Sequence, residues 1–555
     1  VSIGSIGALL ACLAAGWAYR SGSRRALHLL QLEHYENARL RLWLRRRGEL
    51  SDPLQLAAML ASGVIAAASF AAGHRFVELI GFGLVAGVLA AREARRPRRP
   101  ELKPLVLTSR ARRLWTLSLA APALGVLIGA GLGLALGSDV PFALGTFAAV
   151  AAVPAAAWLM RAANTALAPV QRRINARFET AARTRLRDVA PRVIGITGSY
   201  GKTTTKVCVG AVLSEAMATL ITPASFNSKL GVMRTINELL EDRHRAFVVE
   251  MGMYRRGDIA ELCELVHPQI GVLTAIGPVH LERMGTIEAI AEAKAELAQA
   301  LPPEGHLVVN GDDPRCVAIA ARTDGDTVLY GLKNPAARVR AEMIELVEGT
   351  TRFTLVIDER RVAVRAGLLG HHNVLNLLAA ASVGHLLGMS PEQIARGLET
   401  VEPPEHRLQP IPNPRAGIVV IDDAYNSNPE GAAAALQVLA AHPAARRILV
   451  TPGMVELGDA EAALNERFGR QAAAVCDHVI LVGPLRTRPI AAGLEVEGFD
   501  ADAITVVRDI AAATEVLRGL TRAGDVILFE NDLPDMYAED GAGGPVAVAA
   551  SSGPA

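Results

Sequence analysis

Gly198-Ser199-Tyr200-Gly201-Lys202-Thr203-Thr204 sets two glycines, a lysine and hydroxyl residues in one short stretch, the makings of a phosphate cradle. Backbone N–H groups of such a turn can surround phosphate oxygens. Lys202 can reach the β and γ oxygens of a nucleoside triphosphate, and the Thr203 hydroxyl can join the shell of a Mg²⁺ ion. Ile196 stands where the longer P-loop has its first glycine, so the spacing Gly-x-x-Gly-Lys-Thr is a shorter variant. Glu250 closes one apolar run and His280 follows another. Hydroxyl, carboxylate and imidazole together suit Mg²⁺, which keeps waters and takes few protein ligands. The plain alternatives are a solvated lysine, a charge at a strand end and a loop histidine.

These residues need an edge on which to converge, and the chain supplies one. VIGITG, AFVVEMG, IGVLTAIG, HLVVNGDD and TVLYGL are short apolar runs alternating with helical stretches such as TIEAIAEAKAELAQAL, the pattern of a mostly parallel α/β sheet. In such sheets ligands collect at the carboxyl ends of the strands. A helix is expected from about Asn373 to Leu387, with Asn373 and Asn376 on one face. VEPPEHRLQPIPNPRAG is Pro-rich and polar and marks a boundary near Arg407. GIVVIDDAYNSNP, RRILVTPGM, HVILVG, ITVVRD and DVILFEND then supply a second alternating run. No G-x-G-x-x-G follows its first strand, so a dinucleotide site has no support.

The first third is different, rich in Ala, Leu and Gly with dense Arg clusters, and it accounts for most of the mean hydropathy of +0.27. Apolar runs fall at about residues 2–19, 54–73, 76–91, 114–137 and 140–160, each near the roughly 20 residues of a bilayer span. About five spans are expected, or four if 76–91, which carries Glu78, is re-entrant. Arginines crowd the segments after the first and third runs and are nearly absent from the opposite turns. By the positive-inside rule the N-terminus is outside and everything after residue 161 is cytoplasmic, which makes the chain a multi-pass protein of the cell membrane with the lipid bilayer as a partner. Leu27 to Arg47 suits either a helix lying on anionic lipid or a plain positive-inside loop. The net charge of +1 announces no nucleic acid, and five scattered cysteines form neither a zinc ribbon nor a disulfide framework.

ITGSYGKTTTK, VVEMGM, AIGPVHLERMG, AEAKAEL, VVNGDDP, GHHNVLNLLAA, HRLQ and IDDAYNSNPEG occur in this order, and with them residues 191 to 535 resemble the Mur ligases, ATP-dependent amide-forming enzymes of peptidoglycan precursor synthesis. The branch that adds D-alanyl-D-alanine to a muramoyl tripeptide is the most similar. The apolar runs and composition give a helical membrane domain (1–165), a cytoplasmic linker (166–190) and a disordered tail (538–555), while the resemblance implies a central P-loop ATP-binding α/β domain (191–406) and a Rossmann-like C-terminal ligase domain (407–537). It implies ATP and Mg²⁺ as cofactors, with Gly198, Ser199, Gly201, Lys202, Thr203 and Thr204 around the phosphates. Thr203, Glu250 and His280 would be magnesium ligands, and Lys294 a carbamylated ligand to a second ion. Asn373 and Asn376 would lie near the adenine, Arg407 would reach the γ-phosphate, and Asp423, Tyr425 and Asn426 would bring the last domain over the nucleotide. From the residues alone Lys294, between Glu292 and Glu296, reads as part of a solvated helical face.

The implied reaction is attack of a substrate carboxylate on the γ-phosphoryl group, then displacement of phosphate from the acyl phosphate by an amine. Three departures bear on the substrates. The membrane region stands where the relatives hold the uridine nucleotide. Their Asn-rich loop corresponds to residues 222–231, which retain Asn227, expected with Tyr425 and Asn426 to bind substrate, but have Ser225 and Ser228. Their basic Lys-Gly-Ser-Arg segment becomes Glu530-Asn531-Asp532-Leu533-Pro534-Asp535, an acidic loop expected to suit a free amine. A lipid-linked or poly-glutamate-type acceptor is the alternative substrate, and a nucleotide-driven transporter or scaffold the alternative class.

Overall fold

The computed structural model describes residues 3–33, 35–46, 75–95, 104–136, 140–279, 281–347 and 349–532, together with the isolated positions 57, 61 and 64. The chain divides into two compact units, one formed by residues 1–176 and one that begins at residue 177.

The first unit is helical: Ile3–Leu32, Asn37–Arg46, Arg75–Arg95, Ser109–Leu136, Val140–Ala152 and the start of Ala156–Val189. Small residues let its helices approach, and Ala11, Ala15, Ala86 and Ala149 meet in one cluster while Leu27, Leu30, Leu40, Leu114 and Met160 fill another. Among the described residues one helix, Ser109–Leu136, is long and apolar enough to cross a membrane, or two if the pair Leu144–Ala152 and Ala156–Val189, bent by 90°, counts as one span. Of the expected five or so spans, one or two have a counterpart among the described residues. Val140–Ala152 has only 13 residues, and the expected run 140–160 is broken at Val153-Pro154-Ala155, where proline cannot continue the backbone ladder. The run at 54–73 lies almost wholly outside the described residues, as does the expected tail at 538–555. The segment expected as a linker is helical as far as Val189.

The second unit contains two sheets. The strands are β1 (Arg192–Thr197), β2 (Thr219–Ile221), β3 (Ala246–Glu250), β4 (Ile270–Leu273), β5 (His306–Asn310), β6 (Asp326–Gly331), β7 (Val339–Val347), β8 (Thr350–Ile357) and β9 (Arg360–Ala366), then β10 (Gln409–Asn413), β11 (Ile418–Asp423), β12 (Arg446–Thr451), β13 (His478–Val482), β14 (Ile504–Val507) and β15 (Asp525–Glu530). The first nine form one sheet in the order β2-β3-β1-β4-β5-β6-β7-β8-β9, parallel as far as β7 and antiparallel beyond it. The last six form the order β10-β11-β15-β12-β13-β14, parallel except for β10.

Alternation along β1 sends Ile194 and Ile196 to one face and Val193 to the other. On the first face they meet Cys208 and Val212 of the helix Lys202–Ser214 and Leu377 of the helix His371–Leu386. On the second lie Phe247 and Val249 of β3 with Ile290 and Leu297 of the helix Ile287–Gln299. Burial on both faces explains why these strands read as continuous apolar runs. The chain leaves β1 toward β2 and β3 on one side and returns to β4 on the other, so a crevice opens beyond the carboxyl end of β1.

Candidate active site

Beyond Thr197 the chain turns through Gly198-Ser199-Tyr200-Gly201 into the helix Lys202–Ser214. Gly201 sits at the helix N-cap with φ +77°, a left-handed conformation that glycine adopts without cost. A Cβ there would collide with Asn376 Oδ1, and one at Gly198 with Thr274 Oγ1, so both glycines are demanded by close neighbours. Ser199 Oγ donates to Gly277 O (3.0 Å) and accepts from Gly277 N (2.9 Å), pinning the loop to the end of β4. Lys202 Nζ curls over the turn and donates to Gly198 O at 2.7 Å and Ser199 O at 3.3 Å. Burial lowers its pKa, Glu250 opposes that and Arg407 adds to it. Thr203 is half-buried beside it and Thr204 is buried in the first turn.

Glu250, at the end of β3, is 1% exposed and saturated with donors. Lys206 Nζ lies 3.2 Å from its Oε2, and Asn227 Nδ2 donates to Oε1 at 3.0 Å. Asn227, expected to touch substrate, thus directs its amide at the carboxylate. Ser228 beside it caps the helix Lys229–Leu239. Lys206 also donates to Ala224 O and is itself 1% exposed. It is absent from the residues expected from sequence, yet its position one helical turn beyond Lys202 was the available signal. Burial alone would raise the Glu250 pKa, but Lys206, Lys202 and Asn227 outweigh it and hold the group below the ordinary carboxylate range.

Lys206→Met would strand that carboxylate. Removing one partner of a buried ion pair costs about 3–5 kcal/mol, so urea unfolding at neutral pH should show a loss of that order, largely recovered in Lys206→Met/Glu250→Gln. Because the folded pKa of Glu250 is depressed, its contribution is present above the unfolded value of about 4.3 and is lost as pH falls through the folded one. An unchanged unfolding midpoint in Lys206→Met would show that the pair contributes nothing.

Lys294 lies on the helix Ile287–Gln299 but is 2% exposed, so the solvated-face reading is corrected. The flanking carboxylates point elsewhere: Glu296 accepts from the N–H groups of Gly257 and Ala260, and Glu292 pairs with Arg322. Among the described residues Lys294 has no hydrogen bond or ion pair. Burial first, and repulsion from Lys202 second, push its pKa well below the ordinary lysine value, with Cys316 opposing. His280, the remaining expected ligand, lies outside the described residues.

Asn373 and Asn376 are buried at 5% and 7% and form a chain. Thr205 Oγ1 donates to Asn376 Oδ1 (3.0 Å), Asn376 Nδ2 to Asn373 Oδ1 (3.0 Å), and Asn373 Nδ2 to Leu369 O (2.8 Å). Gly370 occupies the N-cap, so Asn373 is not the cap. The pair braces the phosphate loop from behind.

The second sheet brings its own residues to the loop. Arg407 Nη2 donates to Thr203 Oγ1 at 3.3 Å, and its guanidinium lies 4.2 Å from the Tyr425 ring centroid. Asn426 is exposed beside Tyr425. Asp423, at the end of β11, accepts from Leu408 N at 3.1 Å, and burial raises its pKa to about 6. Its neighbour in the sheet is Glu530 at the end of β15. Glu530 is 1% exposed and accepts from Ser427 Oγ at 2.6 Å. Burial, followed by the nearby Asp423, raises its pKa well above the ordinary range. Of the expected acidic loop, Glu530 instead ends a strand and Asn531 is buried with its Nδ2 donating to Gly453 O at 2.7 Å, while Asp532 is exposed. Residues from Leu533 onward lie outside the described part.

Among the described residues no three His, Cys, Asp or Glu side chains group as a metal site. One hydroxyl (Thr203) and one carboxylate (Glu250) beside a phosphate loop nevertheless fit Mg²⁺ held mainly by phosphate and water, provided Glu250 exchanges Lys206 or Asn227 for the ion.

The model of the Mur ligase middle domain matches residues 196–384, and that of the Mur ligase glutamate ligase domain matches 406–530. The UDP-N-acetylmuramoyl-tripeptide–D-alanyl-D-alanine ligase of Mycobacterium tuberculosis is 39% identical over 359 residues, covering 61% of this chain and 70% of the relative. The enzyme of the same name from Bacillus subtilis is 33% identical over 351 residues, covering 62% and 74%. Among solved structures, MurF from Acinetobacter baumannii aligns with a TM-score of 0.58 and 29% identity over 64% of this chain and 77% of that one. MurF ligase from Thermotoga maritima in complex with ADP aligns with a TM-score of 0.58 and 26% identity over 64% and 80%. Phosphate loop, opposed second domain and the order of both matches agree: the chain belongs to the Mur ligase family and is an ATP-dependent ligase.

Proposed function

We propose that this ligase forms an amide on a peptidoglycan precursor, joining D-alanyl-D-alanine to a UDP-muramoyl tripeptide as the names of its relatives describe, through an acyl phosphate. The observation that carries the reading is Arg407 of the second domain donating to Thr203 of the phosphate loop, which supports a role for this cation beside the γ-phosphoryl group. The substrate carboxylate attacks that group, ADP leaves, and the amine then displaces phosphate. Lys202 and Arg407 offset charge on the transferring phosphoryl, which is most of what a protein supplies to such a step. Mg²⁺, held by Thr203 and Glu250, with His280 and Lys294 as the family's further ligands, would neutralise phosphate charge. Contact between the two domains keeps water from the acyl phosphate.

The exposed apolar surface of Ser109–Leu136, with Leu124 57% and Leu127 67% exposed, supports attachment to a membrane, and the Arg-rich segments between the apolar runs favour the ligase domains on the cytoplasmic side. That attachment favours a second reading, in which the acceptor is lipid-linked. The test is phosphate release from Mg²⁺-ATP by detergent-purified protein, given tripeptide and dipeptide in one arm and lipid-linked precursor with single amino acids in the other. Release that needs both tripeptide and dipeptide supports the first reading. Release only with the lipid-linked acceptor supports the second, and release with no carboxylate substrate at all would overturn both.

A further inference from the structure

In the helical unit, a cavity of about 360 Å³ is lined by Ala38, Arg41, Leu42 and Arg161. Ala38, Arg41 and Leu42 occupy positions i, i+3 and i+4 of the helix Asn37–Arg46 and so share one face. Arg161 comes from the helix Ala156–Val189. Its guanidinium lies 4.7 Å from the Trp158 ring centroid, and its Nε is buried without an acceptor. Elsewhere in this unit arginines meet carboxylates, as in Arg25 with Glu93 and Arg39 with Glu33. Arg41, which is exposed, and Arg161 have no such partner among the described residues, and a buried N–H without an acceptor, as at Arg161 Nε, is costly.

The cavity walls are fixed before anything enters. Asn164 Nδ2 donates to Tyr35 O (2.9 Å) and Asn37 Oδ1 (3.0 Å), and Asn37 Nδ2 donates to Thr165 Oγ1 at 3.0 Å. Arg110 joins the same network through Asn164 Oδ1 at 3.3 Å. These bonds tie the start of the Arg41 helix to the Arg161 helix, so the two guanidinium groups converge on one space without reorganisation.

We propose that Arg41 and Arg161 form a binding site for a phosphate group, taken up as the headgroup of an anionic lipid or as a soluble phosphate ester. Planar guanidinium forks match phosphate oxygens in paired hydrogen bonds, and an anion there supplies the acceptor that Arg161 Nε lacks. Leu42 (40% exposed) and Trp158 (48% exposed) give the surroundings an apolar body beside a charged centre, which suits a lipid phosphate best. The site is independent of the ligase reaction.

All four tryptophans, Trp17, Trp43, Trp115 and Trp158, belong to the N-terminal third, so their fluorescence reports on this unit even when a phosphate occupies the nucleotide loop. The full chain in detergent is titrated with short-chain phosphatidic acid, with inorganic pyrophosphate, and with short-chain phosphatidylcholine as control. Saturable quenching by phosphatidic acid, weakened about tenfold by Arg41→Gln or by Arg161→Gln and unchanged in Arg172→Gln, is expected. Arg161→Lys, which keeps the charge, should retain part of the affinity and shows that loss in Arg161→Gln is not unfolding. Equal response to pyrophosphate would assign a soluble source, and response to phosphatidic acid alone a lipid. Equal titrations of wild type and the double variant Arg41→Gln/Arg161→Gln would overturn the site.

Discussion

Lys202→Ala should reduce ATP-dependent phosphate release by roughly 10³-fold or more while leaving the fold intact. The lysine is held only by the carbonyls of Gly198 and Ser199, so its removal breaks no core contact and leaves no buried charge unpaired. What it removes is a cation aimed at the phosphate turn, whose pKa is lowered by its withdrawal from water, so the cost of bringing it into the site is met in the folded protein before ATP arrives. Arg407 does not replace it, because its guanidinium meets the Thr203 hydroxyl and the Tyr425 ring, whereas Lys202 Nζ lies over the Gly198 and Ser199 carbonyls. The check is steady-state phosphate release with both co-substrates saturating, alongside a thermal melt. Turnover within about tenfold of wild type, from a folded Lys202→Ala protein, would remove the loop from the chemistry.

Most of the parallel part of both sheets was legible because its central strands are buried and therefore read as apolar runs, whereas the short half-buried β2 (Thr219–Ile221) was not named. β1, β3, β4, β5 and β6 stand where those runs predict them. The antiparallel extension β7 to β9 was not, since Val339–Val347 carries Glu342 and Glu345 on a half-exposed surface and lacks the apolar continuity of a central strand. Gln409–Asn413 was hidden for a different reason. Its two prolines mark a linker in sequence, yet at the edge of a sheet Pro410 and Pro412 forfeit no ladder bond that an inner strand would need.

The site divides along the same line. Residues that meet phosphate are recognisable from spacing, because the turn and the helix after it are local. Residues that balance buried charge depend on contacts far apart in sequence. Lys206 reaches Glu250 across 44 positions and Glu530 reaches Ser427 across 103, and nothing near either residue announces the partner. The same separation explains Lys294, whose neighbouring glutamates suggest a solvated face until their own distant partners, Gly257, Ala260 and Arg322, are seen.

Lys294→Ala should lower turnover by about 10²-fold and be rescued in part by formate or acetate. Burial and Lys202 both disfavour the ammonium at Lys294, and the neutral amine so favoured adds to carbon dioxide: the nitrogen lone pair forms the N–C bond, one proton leaves, and a carbamate anion remains. Where an ammonium is repelled by Lys202 the carbamate is attracted to it, and it is an anion able to join a second Mg²⁺ as the family pattern implies. Alanine leaves a space in which a small carboxylate can place the same two oxygens, whereas formamide, of similar shape but uncharged, should not restore activity. Labelled bicarbonate with carbon NMR on the wild type provides the direct check, a carbamate signal absent from Lys294→Ala. Full activity in Lys294→Ala without any additive would leave the lysine a structural residue and remove the carbamate from the reaction.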